Sequence, residues 1–185
     1  MTELAQARVL MIATDGFEES ELMKPRQALL DMGAKVTLAS LTRDPIQGES
    51  SGEKGAAIIP DALVAEMDSA DFDALVLPGG VGNPDKLRLD RRTVELVQEF
   101  FDDGKVVAAI CHAPWLLVEA DIVDGKRVTS WPSVRTDLAN AGATVVDEEV
   151  VIDGNLITSR KPGDIPMFVA AIKSVLAEEL EAAVE

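Results

Sequence analysis

The sequence predicts an α/β fold built on a mainly parallel sheet, and three observations point to it. Residues 9–13 (VLMIA), 73–77 (DALVL) and 106–110 (VVAAI) are short and almost uncharged, as strands covered on both faces require. A helical pattern at 18–33 lies between the first run and a partly alternating run at 34–40, which makes a β-α-β unit. The third run passes straight into Cys111-His112-Ala113-Pro114, and Trp115, Leu116 and Val118 then follow at helical spacing. That is a strand-to-helix elbow carrying the chain's only cysteine and only histidine.

Taken in order, Thr14-Asp15-Gly16 is a turn that closes the first strand. In the helix at 18–33, Leu22, Pro25, Leu29 and Met32 share a face and Gly33 is the stop. Pro25 either belongs to a first helical turn or kinks the helix. Residues 42–60 break the rhythm, because Pro45, Gly48, Gly52 and Gly55 punctuate two short apolar pieces. They predict a small antiparallel β-hairpin with a mobile tip. Residues 62–67 fit a strand or a short helix equally. After the strand at 73–77, Gly79 and Gly80 either aim backbone N–H groups at a ligand or form a plain tight turn.

Asp90 caps a helix with Val94, Val97 and Phe101 on one face and Gly104 as its stop. Beyond the elbow, 125–130 contains a short strand and 133–142 a short helix. Residues 150–158 read as a hairpin with Asp153-Gly154 at the turn. Asp164 opens a last helix with Ile165, Phe168, Val169, Ile172, Val175 and Leu176 toward the core. Its acidic end, 178–185, is expected to be a solvated, frayed helix end. With no repeat, linker or composition shift, residues 1–185 are expected to form one domain.

Composition narrows the function classes. A net charge of −16 repels nucleic-acid backbone and anionic membrane, so neither is an expected partner. One cysteine permits no intrachain disulfide and no cysteine-rich metal site, and one histidine permits no histidine cluster. No dinucleotide fingerprint or P-loop occurs, so no metal and no cofactor are expected. The N-terminus lacks signal-peptide character and no apolar run approaches the ~18 residues of a membrane span. The expected location is cytoplasmic.

Chemistry concentrates at the elbow. The N–H groups and dipole of a following helix favour a thiolate at Cys111, although a lone cysteine in an apolar stretch is also compatible with an inert core residue. Oxyanion donors are expected from the N–H groups of His112 and of the Gly79-Gly80 turn, since both lie at strand ends on one sheet edge. Glu18, Glu19 and Glu21 follow the first strand and share that edge. One of them held protonated donates a hydrogen bond to the thiolate; otherwise they form a solvated face.

Three segments carry a resemblance: Ala109-Ile110-Cys111-His112-Ala113-Pro114, Leu77-Pro78-Gly79-Gly80, and Gly16-Phe17-Glu18-Glu19-Ser20-Glu21-Leu22. They look like the signature segments of the ThiJ/PfpI superfamily. The Cys-His pair, Asp153-Gly154-Asn155 and Ser159-Arg160 are most similar to its PfpI-type intracellular cysteine protease/deglycase family. The similarity runs over residues 7–178 or so. It implies a flavodoxin-like three-layer α/β sandwich and a homodimer or higher homo-oligomer. It also implies Cys111 as nucleophile, His112 as its partner, Glu21 as the acid bonded to the cysteine, and Gly80 with His112 as oxyanion donors. The family's further acid, in a Pro-Glu pair reaching a neighbouring subunit's site, corresponds to Pro84-Asp85, one methylene shorter.

The expectation is a cofactor-free cysteine hydrolase acting on small carbonyl or acyl groups. The activities the resemblance offers are deglycase, glyoxalase and peptidase, in a stress-response setting, with Gly79, Gly80 and Glu18 on the substrate side. The rival is a redox sensor or chaperone that uses oxidation of Cys111. A glutamine amidotransferase shares the elbow but needs a second histidine, which this chain lacks.

Overall fold

The computed structural model describes residues 4–182. It has twelve strands: β1 (Arg8–Ile12), β2 (Phe17–Glu18), β3 (Lys35–Ser40), β4 (Ile46–Ser50), β5 (Glu53–Ile58), β6 (Ala62–Leu63), β7 (Ala74–Leu77), β8 (Val106–Ile110), β9 (Arg127–Val128), β10 (Thr144–Val145), β11 (Val150–Asp153) and β12 (Leu156–Ser159). Six helices accompany them: α1 (Glu19–Asp31), α2 (Gly82–Leu87), α3 (Arg91–Asp102), α4 (Pro114–Glu119), α5 (Arg135–Asn140) and α6 (Ile165–Ala182). Seven strands form the main sheet in the order β11-β12-β8-β7-β1-β3-β6, parallel except for the edge strand β11.

Alternation along the central strands makes two cores. Val9 and Met11 of β1, Val76 of β7 and Ile110 of β8 face one side with Leu22, Leu29, Phe168 and Ile172 of α1 and α6. Leu10, Ile12, Leu75 and Val107 face the other, with Leu96, Val97 and Phe100 of α3 and Leu116 and Leu117 of α4. The result is the expected three-layer sandwich, with helices covering both faces of a mostly parallel sheet.

Several local expectations are refined. Asp90 caps α3 by accepting the Thr93 N–H at 2.8 Å, but the fully buried face is Leu96, Val97 and Phe100; Val94 and Phe101 flank it half-buried. Pro25 lies inside α1, which continues through it. Residues 62–67 are both things in turn, the short strand β6 and then a 3₁₀ turn at Val64–Glu66. The hairpin β4–β5 pairs with β2, a two-residue strand absent from the sequence reading, to make a separate sheet. The Asp153-Gly154 hairpin forms, and its second arm, β12, joins the main sheet beside β8. Helix α6 runs to Ala182, and residues 183–185 of the acidic end lie outside the described residues. No helix among the described residues is long and apolar enough to cross a membrane.

The loops after β1 and β7 are locked together by Asn83, which is fully buried. Its Oδ1 accepts the Thr14 N–H at 2.8 Å, and its Nδ2 donates to the carbonyls of Pro78 (2.9 Å) and Gly79 (3.1 Å). Between these loops the backbone is so close that a Cβ on Gly80, which has φ +82°, would strike the Gly16 carbonyl oxygen. Asn83→Ala strands the Thr14 donor and the Pro78 acceptor in a buried place, a cost of about 3 kcal/mol. For a chain of this size the melting temperature should drop by roughly 6–12 °C in calorimetry.

Candidate active site

A cleft of about 330 Å³ opens where the carboxyl ends of β7 and β8 meet the β4–β5 hairpin. Cys111, His112, Glu21, Glu18 and Gly80 all line it, joined by Glu49, Ser51, Gly52, Val81, Trp131 and Pro162. The crevice beyond the strand ends is where an open parallel sheet binds ligands.

The elbow is strained. Cys111 has φ +65°, a left-handed conformation rare for a residue with a side chain. Its N–H donates to the Ser159 carbonyl of β12 at 3.0 Å, and its own carbonyl accepts the Trp131 N–H at 2.9 Å. This bend brings together two side chains that consecutive residues normally send apart: Cys111 Sγ lies 3.1 Å from His112 Nδ1.

The imidazole is held on its other sides as well. Nε2 lies 3.3 Å from Ser133 Oγ. The Trp131 ring stacks on it at 5.7 Å between centroids and 24° between planes, and Trp115 meets it edge-on at 5.3 Å. Burial pushes the His112 pKa below its ordinary value, which keeps the ring neutral at neutral pH. No carboxylate among the described residues bonds to it.

Glu21 comes from the first turn of α1 and is fully buried. Its Oε2 accepts the Gly79 N–H at 2.9 Å, while Oε1 is buried without a hydrogen-bond partner. Burial raises its pKa to about 8, outweighing the opposing pull of Cys111 and the Gly79 N–H, so at neutral pH the carboxyl holds its proton. A side chain at Gly79 would run into Glu21 Oε2 and come within 2.7 Å of Cys111 Cβ, which explains glycine there.

Two expectations require correction. Gly79 is not an oxyanion donor, because its N–H is committed to Glu21. The N–H groups of Gly80 and His112 remain, and both act on the Cys111 sulfur. Burial also opposes the expected thiolate in the resting site. Burial drives the thiol pKa upward, a charged Glu21 would drive it further, and the two N–H groups only partly offset this. Cys111 is only 5% exposed, and α4 starts three residues later and is one and a half turns long, too little to reverse the desolvation.

Glu18 sits at the rim, where Oε2 accepts the Ser51 N–H at 3.4 Å and Oε1 the Ser20 hydroxyl at 3.3 Å. With Glu19 Oε2 accepting the Ala56 N–H at 2.6 Å, it ties the hairpin down beside the cleft. Of the candidates, Gly79 lies behind Glu21 and does not line the cleft, and Asp85 lies away from it altogether. It lies in the first turn of α2 and lines a second hollow with Arg88, Trp115 and Asp137. Ser133, Trp131 and Glu49 were missed; the Ser-Trp-Pro-Ser stretch at 130–133 was the available signal, as an aromatic and two hydroxyls at a break in the chain.

Fold and site together define an α/β protein with a cysteine on a strand-to-helix elbow, a histidine beside it and a protonated acid beneath. The family model of the DJ-1/PfpI family matches residues 7–174, and the chain belongs to that family. A deglycase of Pyrococcus abyssi is 42% identical over 158 residues, 85% of this chain and 92% of that protein. General stress protein 18 of Bacillus subtilis is 41% identical over 163 residues, 87% of this chain and 92% of its own. The crystal structure of Drosophila melanogaster DJ-1beta superposes with a TM-score of 0.84 at 36% identity, covering 92% of this chain and 90% of that one.

The raised pKa of Glu21 makes a stability prediction. The unfolded chain releases this proton near 4.5 and the folded chain only near 8, so the folded state binds more protons between these values and loses stability as pH rises through them. Replacing Glu21 with Gln removes the ionisation. The stability difference between Glu21→Gln and wild type should move in favour of the variant by a few kcal/mol, on the order of 2–5, from about pH 5 to pH 8. Urea unfolding of both proteins across that range measures it.

Proposed function

We propose that the protein is a cysteine-dependent deglycase or hydrolase of the PfpI type, acting on small carbonyl or acyl groups without a cofactor. The observation that carries this reading is the 3.1 Å contact between Cys111 Sγ and His112 Nδ1 on a cleft floor with backbone N–H groups at hand. The deglycase name of the Pyrococcus relative supports it.

The resting site is neutral: a thiol, a neutral imidazole and a protonated carboxyl. When a carbonyl carbon approaches, the Cys111 S–H proton passes to His112 Nδ1 and the sulfur electron pair forms the C–S bond. The carbonyl π pair moves onto oxygen, where the N–H groups of Gly80 and His112 face it. The stacked Trp131 ring stabilises the imidazolium formed in this step. With an acyl substrate the tetrahedral intermediate collapses, the leaving amine takes the proton from His112, and water later cleaves the thioester. With a dicarbonyl adduct the same addition to its carbonyl carbon is the first step. Deep burial of the thiol weighs against the sensor reading, since oxidation-sensing cysteines are exposed and of low pKa.

The test is parallel assay of methylglyoxal, its thiol and amine adducts, and fluorogenic peptides. At least one class should turn over, and Cys111→Ser should lower that rate by on the order of 10² or more. Equal turnover by Cys111→Ser, or none by the wild type, overturns the reading.

The pH profile should be a bell. The acid limb should lie below the ordinary histidine value of 6.5, because burial lowers the pKa of His112. The alkaline limb should fall near 8, where ionised Glu21 opposes negative charge on sulfur and oxygen. In Glu21→Gln the alkaline limb should move to higher pH, read from kcat/KM against pH.

A further inference from the structure

We propose that Ser133 is the residue that positions His112, doing from within the same chain what a third group does for the base of a catalytic pair. This rests on the reading of Cys111 and His112 as nucleophile and base. The geometry is a closed ring. Cys111 Sγ meets His112 Nδ1 at 3.1 Å, His112 Nε2 meets Ser133 Oγ at 3.3 Å, and Ser133 stands on a single 3₁₀ turn, Pro132–Val134. That turn is tied back to the start of the ring, because the Trp131 N–H donates to the Cys111 carbonyl at 2.9 Å and the Val134 N–H to the Trp131 carbonyl at 3.0 Å.

The two contacts fit either tautomer, and a base at Nδ1 requires one of them. The thiol carries a proton and needs an acceptor, which Nδ1 provides; Nε2 then bears the ring hydrogen and needs an acceptor of its own. Ser133 Oγ is the group at that distance, and it makes no other hydrogen bond among the described residues. With Nε2–H donated to Ser133, the Nδ1 lone pair points at the thiol, which is the arrangement a base must have before proton transfer. The opposite tautomer would leave Nδ1 without a lone pair for that proton. Trp131 and Trp115 restrict the ring plane but offer no acceptor at Nε2.

The other titratable groups near the imidazole do not replace Ser133. Cys111, Glu21, Glu18 and Glu49 line the same cleft, and none of the carboxylates bonds to either ring nitrogen. Behind Trp115, Asp137 is engaged with the indole N–H at 2.8 Å, and Asp85 and Arg88 line the second hollow. Among the described residues of this chain, the Ser133 hydroxyl is the group that orients the ring.

The experiment follows Cys111, the only cysteine, by its rate of alkylation with iodoacetamide from about pH 5 to about pH 10. Wild type is compared with Ser133→Ala, Ser133→Thr and Asp85→Ala, each checked for an unchanged melting temperature. Ser133 is exposed, so its loss leaves the core intact. Ser133→Ala should alkylate about tenfold more slowly at pH 7, and Ser133→Thr should restore the wild-type rate. Asp85→Ala should match wild type. With a substrate that turns over, Ser133→Ala should lower kcat and leave KM unchanged. A Ser133→Ala profile that coincides with wild type overturns the proposal, and slowing in Asp85→Ala alone assigns the role to Asp85. Because alkylation needs no substrate, an inactive protein with the expected slowing refutes the enzymatic reading and leaves Ser133 in its place.

Discussion

The left-handed backbone at Cys111 is the constraint from which the site follows. A non-glycine residue in this conformation costs on the order of 1–3 kcal/mol, and it persists only where its surroundings over-determine it. Here they do. Strand β12 lies parallel to β8 and offers the Ser159 carbonyl to the Cys111 N–H, the Ala113 N–H closes a turn onto the Ile110 carbonyl at 3.0 Å, and Trp131 takes up the Cys111 carbonyl. The strain thus rests on a central strand whose five residues are fully buried. Relaxing the elbow would part the sulfur from the imidazole and release the segment that carries Trp131 and Ser133.

Electrostatics explains why the site is built from uncharged groups. Cys111, His112 and Glu21 share a corner where ionising any one of them is opposed by burial. Keeping the proton on Glu21 also removes a negative charge that would oppose a thiolate. In the proposed mechanism charge is thereby deferred to the moment of bond formation, when the oxyanion meets the Gly80 and His112 N–H groups. The acidic rim of Glu18 and Glu49 stays at the solvent edge, where carboxylates are easily hydrated, and Glu18 serves there as a tie for the hairpin tip.

The hairpin shows how a peripheral element becomes part of a site. Glycine-rich spacing made it readable as a small antiparallel hairpin with a mobile tip. In the structure it is joined to the β1–α1 connection by β2, by the Gly16 N–H donating to the Gln47 carbonyl at 2.8 Å, and by Glu18 and Glu19. Ser51 and Gly52 consequently line the cleft, together with Trp131 and Pro162.

Much of this was determined locally, and therefore legibly, by the amino-acid sequence. Uncharged runs must be covered on both faces, so residues 9–13, 73–77 and 106–110 announce central parallel strands. An apolar run breaking at Cys-His-Ala-Pro announces the elbow, and Asp90 and Asp153-Gly154 announce a cap and a turn through chemistry contained in a few residues. Glu21 was legible only through a motif, since nothing in its own neighbourhood distinguishes it from Glu18 and Glu19. Tertiary structure alone decided the rest, because the partners are far apart in the chain. Asn83 joins Thr14 to Pro78, Gly79 gives its N–H to Glu21 rather than to a substrate, and burial at the crossing of several elements reverses the expected ease of ionising Cys111. Ser133 reaches His112 across 21 residues of chain, a contact that depends on where β12 and the Trp131 segment pack and that no spacing rule encodes.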